Sequence, residues 1–264
     1  MGIAAGTLLA RLPWACYQPM AWFLARLMRL FMRRRAHIAR TNIRLCFPDC
    51  SPAEQTRLYR ASFDALAFSM FEFSRSWWGQ LRPADADTVI EGLENLKMAT
   101  DKGNGVLLLA AHLMTMEYCV KILGQNTKLA GMYRPFDNPA LEWSVLKGRS
   151  GYTQHMFARD ALRGVLRHLK SGGIVWMAPD QETRRGDSVF VPFFKQSAWS
   201  LTSTHQMAKL SGAAVVPFFH QRLANGNYRI CIEPELENFP GPSVADDTAR
   251  VMAVFETFIQ RCPE

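Results

Sequence analysis

Residues 106–117, VLLLAAHLMTME, decide how this chain folds. The run 106–110 is apolar without interruption, follows the turn residues Gly103-Asn104-Gly105, and is too short for an ordinary helix. It reads as a central strand buried on both faces. It delivers His112, and a carboxylate, Glu117, follows five residues later. A buried strand that ends in polar groups is how α/β proteins bring chemistry to the edge of a sheet.

Strands and helices alternate outward from it. Downstream, the pattern predicts a helix over 115–123, a strand over 129–133 and a helix from Asn138-Pro139 to 147. A helix over 159–169 stops at Gly172-Gly173, and a strand over 174–178 ends at Pro179-Asp180. A polar loop (181–188, QETRRGDS) leads to an extended segment over 189–193 and a helix over 201–210. Strands over 214–220 and 228–232 flank Asn225-Gly226, a hairpin signal, and a helix over 245–261 closes the chain. Upstream lie a short strand at 88–91, a helix over 93–101, and a long helix to about 78. That last helix opens on the capping box Ser51-Pro52-Ala53-Glu54. The expected fold is α/β, a mostly parallel central sheet flanked by helices with an antiparallel end, forming one body over 51–264.

Residues 1–50 are different in kind. The stretch 12–25 is uncharged but only fourteen residues long, short of the roughly 20 needed to span a bilayer, and Pro13 and Pro19 interrupt it. From 26 to 44 seven arginines alternate with Leu27, Met28, Leu30, Phe31, Met32 and Ile38. A basic segment with apolar anchors suits the headgroup region of an anionic membrane, on its cytoplasmic side. The whole chain carries a net charge of +8, which calls for an anionic partner. Seven tryptophans and seventeen phenylalanines point to lipid and away from nucleic acid, and no RNA-binding motif appears. Six scattered cysteines and six histidines form no metal-ligand spacing, so neither a metal nor a cofactor is expected.

Residues five apart on one helix point about 140° away from each other. His112 and Glu117 can meet only if the histidine sits in the turn and the carboxylate in the helix's first turn. Glu117 would then hold one ring nitrogen and leave the other as a base. Spacing alone favours a plainer alternative: a strand-end histidine bonded to a backbone carbonyl, with Glu117 facing solvent. GxSxG, HExxH and P-loop motifs are absent.

The surrounding strings carry a resemblance. IARTNIRLCFPDCSPAEQ (38–55), HLMTME (112–117), MYRPFDNPALEW (132–143) with Lys147-Gly148-Arg149, VWMAPDQE (175–182), SVFVPFF (188–194) and GAAVVPFF (212–219) occur in order. The chain resembles the late acyltransferases of lipid A biosynthesis, the lauroyl, myristoyl and palmitoleoyl group of the lysophospholipid acyltransferase superfamily. It departs from them in a less clean apolar N-terminus, in the 181–188 loop, and at 261–264, where relatives continue into an aromatic and basic tail. The expectation there is a short member or a truncated sequence.

The resemblance implies a glycerolphosphate-acyltransferase-like fold at the cytoplasmic face of a bacterial inner membrane. It implies transfer of a fatty acyl chain from an acyl carrier protein thioester, or acyl-CoA, to a hydroxyl of a lipid A precursor. His112 would be the general base and Glu117 would stabilise its imidazolium. Arg134 and Arg149 are candidates for the acceptor's phosphates, with ion pairs to Asp137 or Glu142 as the alternative. Asp180 would orient Arg149 or accept a hydrogen bond from substrate, or simply cap a helix. Met114, Met116, Trp143 and Phe194 are candidates to line an acyl groove, or else core. The alternative activity is acyl transfer to a glycerophospholipid or another glycolipid.

Overall fold

The computed structural model describes residues 2–86, 88–181 and 187–264. Three helices, α1 (Gly2–Arg11), α2 (Tyr17–Phe31) and α3 (Arg33–Cys46), precede the long α4 (Pro52–Trp78). Pro13 lies after α1, and Pro19 falls in the first turn of α2, where its missing N–H has no intrahelical partner to lose. The α2 face bearing Tyr17, Ala21 and Ala25 packs on Ala67, Phe68 and Phe71 of α4. The predicted capping box opens α4: Glu54 N–H donates to Ser51 Oγ at 3.3 Å, and Ser51 N–H to Glu54 Oε2 at 2.8 Å.

A short helix, α5 (Pro83–Ala86), leads to β1 (Ile90–Glu91) and α6 (Leu93–Asp101), then to β2 (Val106–Leu109) and α7 (Met116–Leu123). Next come β3 (Ala130–Tyr133), α8 (Pro139–Arg149), β4 (His155–Ala158), α9 (Leu162–Lys170) and β5 (Ile174–Met177). A hairpin of β6 (Ser188–Phe193) and β7 (Gln196–Leu201) precedes α10 (Ser203–Ser211), β8 (Ala214–Arg222), β9 (Tyr228–Ile232) and α11 (Val244–Arg261).

The sheet runs β1-β9-β8-β2-β5-β3-β4. Strands β8, β2, β5, β3 and β4 are mutually parallel, and β9 is antiparallel to β8. As expected, β2 is central: all four residues are fully buried. Val106 and Leu108 face a core shared with α6 and α7, whereas Leu107 and Leu109 face one shared with α9, α10 and α11. Burial on both faces explains the unbroken apolar run. Gly105 makes the entry possible, since its φ is +78° and a Cβ there would lie 2.3 Å from the Leu169 carbonyl oxygen.

Two strands escaped the sequence reading. Strand β4 is an edge strand whose residues stay partly or fully exposed, so no apolar run announces it, and α9 starts at Leu162 instead of 159. Strand β7 pairs with β6 around a two-residue turn, Phe194-Lys195, both at positive φ, and pushes the start of α10 back to Ser203. Of the polar loop read at 181–188, residues 182–186 lie outside the described residues.

Candidate active site

Sheet register builds the site. Leu109 is opposite Met177 across β2 and β5, so three residues further on His112 and Asp180 leave the sheet at the same level. There they pair. The His112 Nδ1–H donates to Asp180 Oδ1 at 2.5 Å, and the His112 backbone N–H donates to Asp180 Oδ2 at 2.9 Å. One carboxylate thus fixes both the backbone and the ring of the histidine. With Nδ1 so engaged, Nε2 is the ring atom left as a base. The His112 side chain is 39% exposed, open to a reactant.

This corrects the expected pairing. His112 sits in the turn and Glu117 in the first turn of α7, but the two do not bond; Asp180 takes the place assigned to Glu117. Nor does Asp180 orient Arg149. The Glu117 side chain turns inward and is 1% exposed, and a carboxylate taken from water needs a counter-charge. Arg149, itself buried, supplies it from the end of α8 through Nε–H to Oε1 at 2.8 Å and Nη2–H to Oε2 at 2.6 Å. Tyr152 O–H adds a third bond to Oε1 at 2.5 Å. Burial alone would raise the Glu117 carboxyl. The Arg149 charge and these hydrogen bonds outweigh it and hold the group below the ordinary carboxylate range. Trp77 and Tyr133 rings lie 5.9 and 5.8 Å from the guanidinium.

The height of Arg149 on α4 is set by its neighbour. A Cβ on Gly148 would meet the Trp77 carbonyl oxygen at 2.2 Å, so only glycine lets α8 lie this close to α4. Lys121 of α7 closes the same corner by donating to the Arg75, Ser76 and Gly79 carbonyls at the end of α4. Burial, then repulsion from Arg75, pushes its ammonium down to about 8.

A second histidine lies under the turn. His220 of β8 is fully buried, and its Nδ1 is 2.9 Å from Thr115 Oγ1. Thr115 stands at the N-cap of α7 yet makes no side-chain cap bond there, so its hydroxyl serves His220. Burial pushes His220 down to about 3, against a smaller upward pull from Asp180, and the ring stays neutral. Its Nε2 has no partner among the described residues. Sequence reasoning passed over His220, because nothing local distinguishes it; the register of β8 beside β2 was the only signal.

Arg134, just past β3, is 70% exposed and 4.0 Å from Asp137. Trp143 lines a cleft of about 1110 Å³ with Trp77, Lys121, Lys147 and Tyr152, beside the Glu117 cluster. Phe194, also considered for an acyl groove, is buried at the β6–β7 turn against Phe47 and Phe193. Among the described residues no group of three His, Cys, Asp or Glu side chains is placed to hold a metal ion.

Comparison with known proteins agrees with the resemblance. The profile of the family described as bacterial lipid A biosynthesis acyltransferase matches residues 1–264. The lipid A biosynthesis lauroyltransferase of Escherichia coli (strain K12) is 33% identical over 267 residues, covering 100% of this chain and 87% of that protein. The palmitoleoyltransferase of the same organism is 34% identical over 238 residues, covering 89% and 78%. A lipid A biosynthesis acyltransferase of Haemophilus influenzae is 31% identical over 207 residues, covering 77% and 66%. The chain belongs to the bacterial lipid A biosynthesis acyltransferases, and its activity is acyl transfer.

Proposed function

We propose that the protein moves a fatty acyl chain from an acyl carrier protein thioester to a hydroxyl of a lipid A precursor, at the cytoplasmic face of the bacterial inner membrane. The observation that carries this reading is the His112–Asp180 pair at the sheet edge, with Nε2 left open. In the proposed step, His112 Nε2 removes the proton from the acceptor hydroxyl as its oxygen attacks the thioester carbonyl. The Asp180 carboxylate stabilises the imidazolium that forms. The tetrahedral intermediate then collapses, the C–S bond breaks, and the imidazolium returns the proton to the departing thiolate. The products are an ester and a free thiol, and no acyl-enzyme is needed.

Glu117 takes a different part from the one the resemblance implied. It anchors Arg149, and together they brace the helix that follows the His112 turn. Arg149 is engaged internally, which leaves the exposed Arg134 as the candidate for an acceptor phosphate. In this reading residues 1–50 serve as the membrane-facing arm and 51–264 as the transferase body.

The test is transfer in vitro from carrier-protein thioesters of several chain lengths, offered both lipid A precursors and lysophospholipids. Ester on the lipid A precursor is expected. Product on a lysophospholipid alone would sink the acceptor assignment, and full turnover by His112→Ala would sink the base.

A further inference from the structure

The strands that set His112 beside Asp180 set a third residue in the same row. Leu109 of β2 lies opposite Met177 of β5 on one side and Pro217 of β8 on the other. Three residues beyond these stand His112, Asp180 and His220. Strand β2 has left the sheet by then, whereas β8 continues, with His220 still opposite Ile230 of β9. His220 therefore lies beneath the turn, fully buried, with its Nδ1 2.9 Å from Thr115 Oγ1.

The turn has little else to hold it. Asp180 ties its first residue, through the His112 backbone N–H and ring. Inside it, Leu113 N–H donates to the Ala111 carbonyl and Met116 N–H to the Leu113 carbonyl, local bonds that move with the turn. Its last residue, Thr115, has left the usual task of its position. Ser51, Asn138 and Ser243 each accept a helix N–H at the N-caps of α4, α8 and α11, whereas the Thr115 side chain makes no such bond at α7. It meets His220 instead. The segment that carries His112 is thus fastened to a neighbouring strand at each end.

Stability gives no reason for a histidine at this place. Its Nε2 has no partner among the described residues, and a polar atom buried alone is a cost. Phenylalanine, present at 218 and 219, would fill such a space without that cost. A lysine could also reach the Thr115 hydroxyl, but its charge would stand beside the imidazolium that forms on His112. Burial keeps the His220 ring neutral. What the ring supplies is a directed bond from a rigid strand to the end of the turn.

We propose that His220 is a positioning residue for the transfer, holding the turn through Thr115 so that His112 Nε2 stays aligned with the acceptor hydroxyl. The inference rests on the reading of His112 as the base.

Steady-state transfer from a carrier-protein thioester to the lipid A precursor tests it. His220→Phe and Thr115→Val should each lower kcat about tenfold with both KM values unchanged, because a misplaced base is felt in the transition state and not in binding. The double variant should be no slower than either single one, since both remove the same bond. His220→Asn separates positioning from packing. Its amide can take the place of Nδ1, so it should regain most of the lost rate, although the cavity it leaves lowers its melting temperature below that of His220→Phe. Rates that follow melting temperature, losses that add in the double variant, a raised KM with kcat intact, or wild-type kcat in Thr115→Val would each overturn the proposal. The nearly isosteric Thr115→Val decides the matter if His220→Phe does not fold.

Amide hydrogen exchange reads the turn without any substrate. Exchange over 112–116 should quicken about tenfold in Thr115→Val and stay unchanged over the β8–β9 hairpin. No change over 112–116 would remove the anchoring itself. If His112→Ala is inactive while Thr115→Val keeps wild-type kcat, this inference alone fails. If His112→Ala keeps full turnover, or wild-type protein transfers nothing, the base assignment falls and the positioning role with it, and exchange still decides whether His220 holds the turn.

Discussion

Two buried clusters of the same composition sit in this molecule. In one, Glu117 takes a two-pronged Arg149 and the Tyr152 hydroxyl. In the other, Glu72 of α4 takes Arg222 through Nε–H at 2.9 Å and Nη2–H at 3.1 Å, together with the Tyr228 hydroxyl. Both carboxylates are 1% exposed. The first braces α7, the helix entered directly from the His112 turn; the second ties α4 to the β8–β9 hairpin. A buried Glu–Arg–Tyr set is therefore no mark of catalysis. It is how this fold stabilises a carboxylate away from water, and its relevance to chemistry depends on which segment it holds.

The largest expected effect lies outside both clusters. His112→Ala should lower kcat by about 10³-fold with the melting temperature unchanged, measured by initial rates and calorimetry. The comparison itself is tested by Glu117→Ala beside Glu72→Ala. Each leaves a guanidinium without its counter-charge and should cost about 3–5 kcal/mol in urea denaturation. Only Glu117→Ala should also depress kcat per folded molecule; an equal loss in Glu72→Ala would break the distinction drawn between them.

Acid sharpens it next. His220 has a folded value near 3 against an ordinary 6.5, so the unfolded chain binds the extra proton between those limits. Its stabilising contribution is full above pH 6.5 and fades as pH falls toward 3. Glu117, also depressed, contributes fully above its ordinary 4.5 and loses that contribution only below it. Between pH 6.5 and 4.5 the loss due to His220 should reach about 2 kcal/mol, and His220→Phe should remove that slope from chemical denaturation. A slope unchanged in His220→Phe would refute this account. The smallest effects are for Tyr152→Phe and Tyr228→Phe, about 1–3 kcal/mol each, with a several-fold fall in kcat for Tyr152→Phe alone.

The sequence made strand β2, the His112 turn, the α4 capping box and the β8–β9 hairpin legible because each is written locally, in an apolar run, a box of four residues or an Asn-Gly pair. The partners were not legible. Asp180 meets His112 across 68 residues because two parallel strands happen to be in register, and Arg149 reaches Glu117 across 32 by way of a glycine contact between helices. Neither fact has a local signature. Spacing alone favoured a histidine apart from Glu117, which is what the structure has; it was the resemblance that assigned Glu117 to the imidazole, where the structure puts Asp180. Strand β7 was lost for a related reason: QSAWSL has no apolar periodicity, and only its pairing with β6 makes it a strand.

Helix α4 has a mechanical consequence. It runs for twenty-seven residues, about 40 Å, with no glycine and no proline after Pro52 to bend it. Along its length it carries the inner face of α2, and at its end Trp77 bears against α8, one residue from Arg149. It is a stiff spar between the arm and the site. A tilt imposed on the arm reaches the far end without a hinge to absorb it, so the arm's attitude and the alignment of α8 are one degree of freedom.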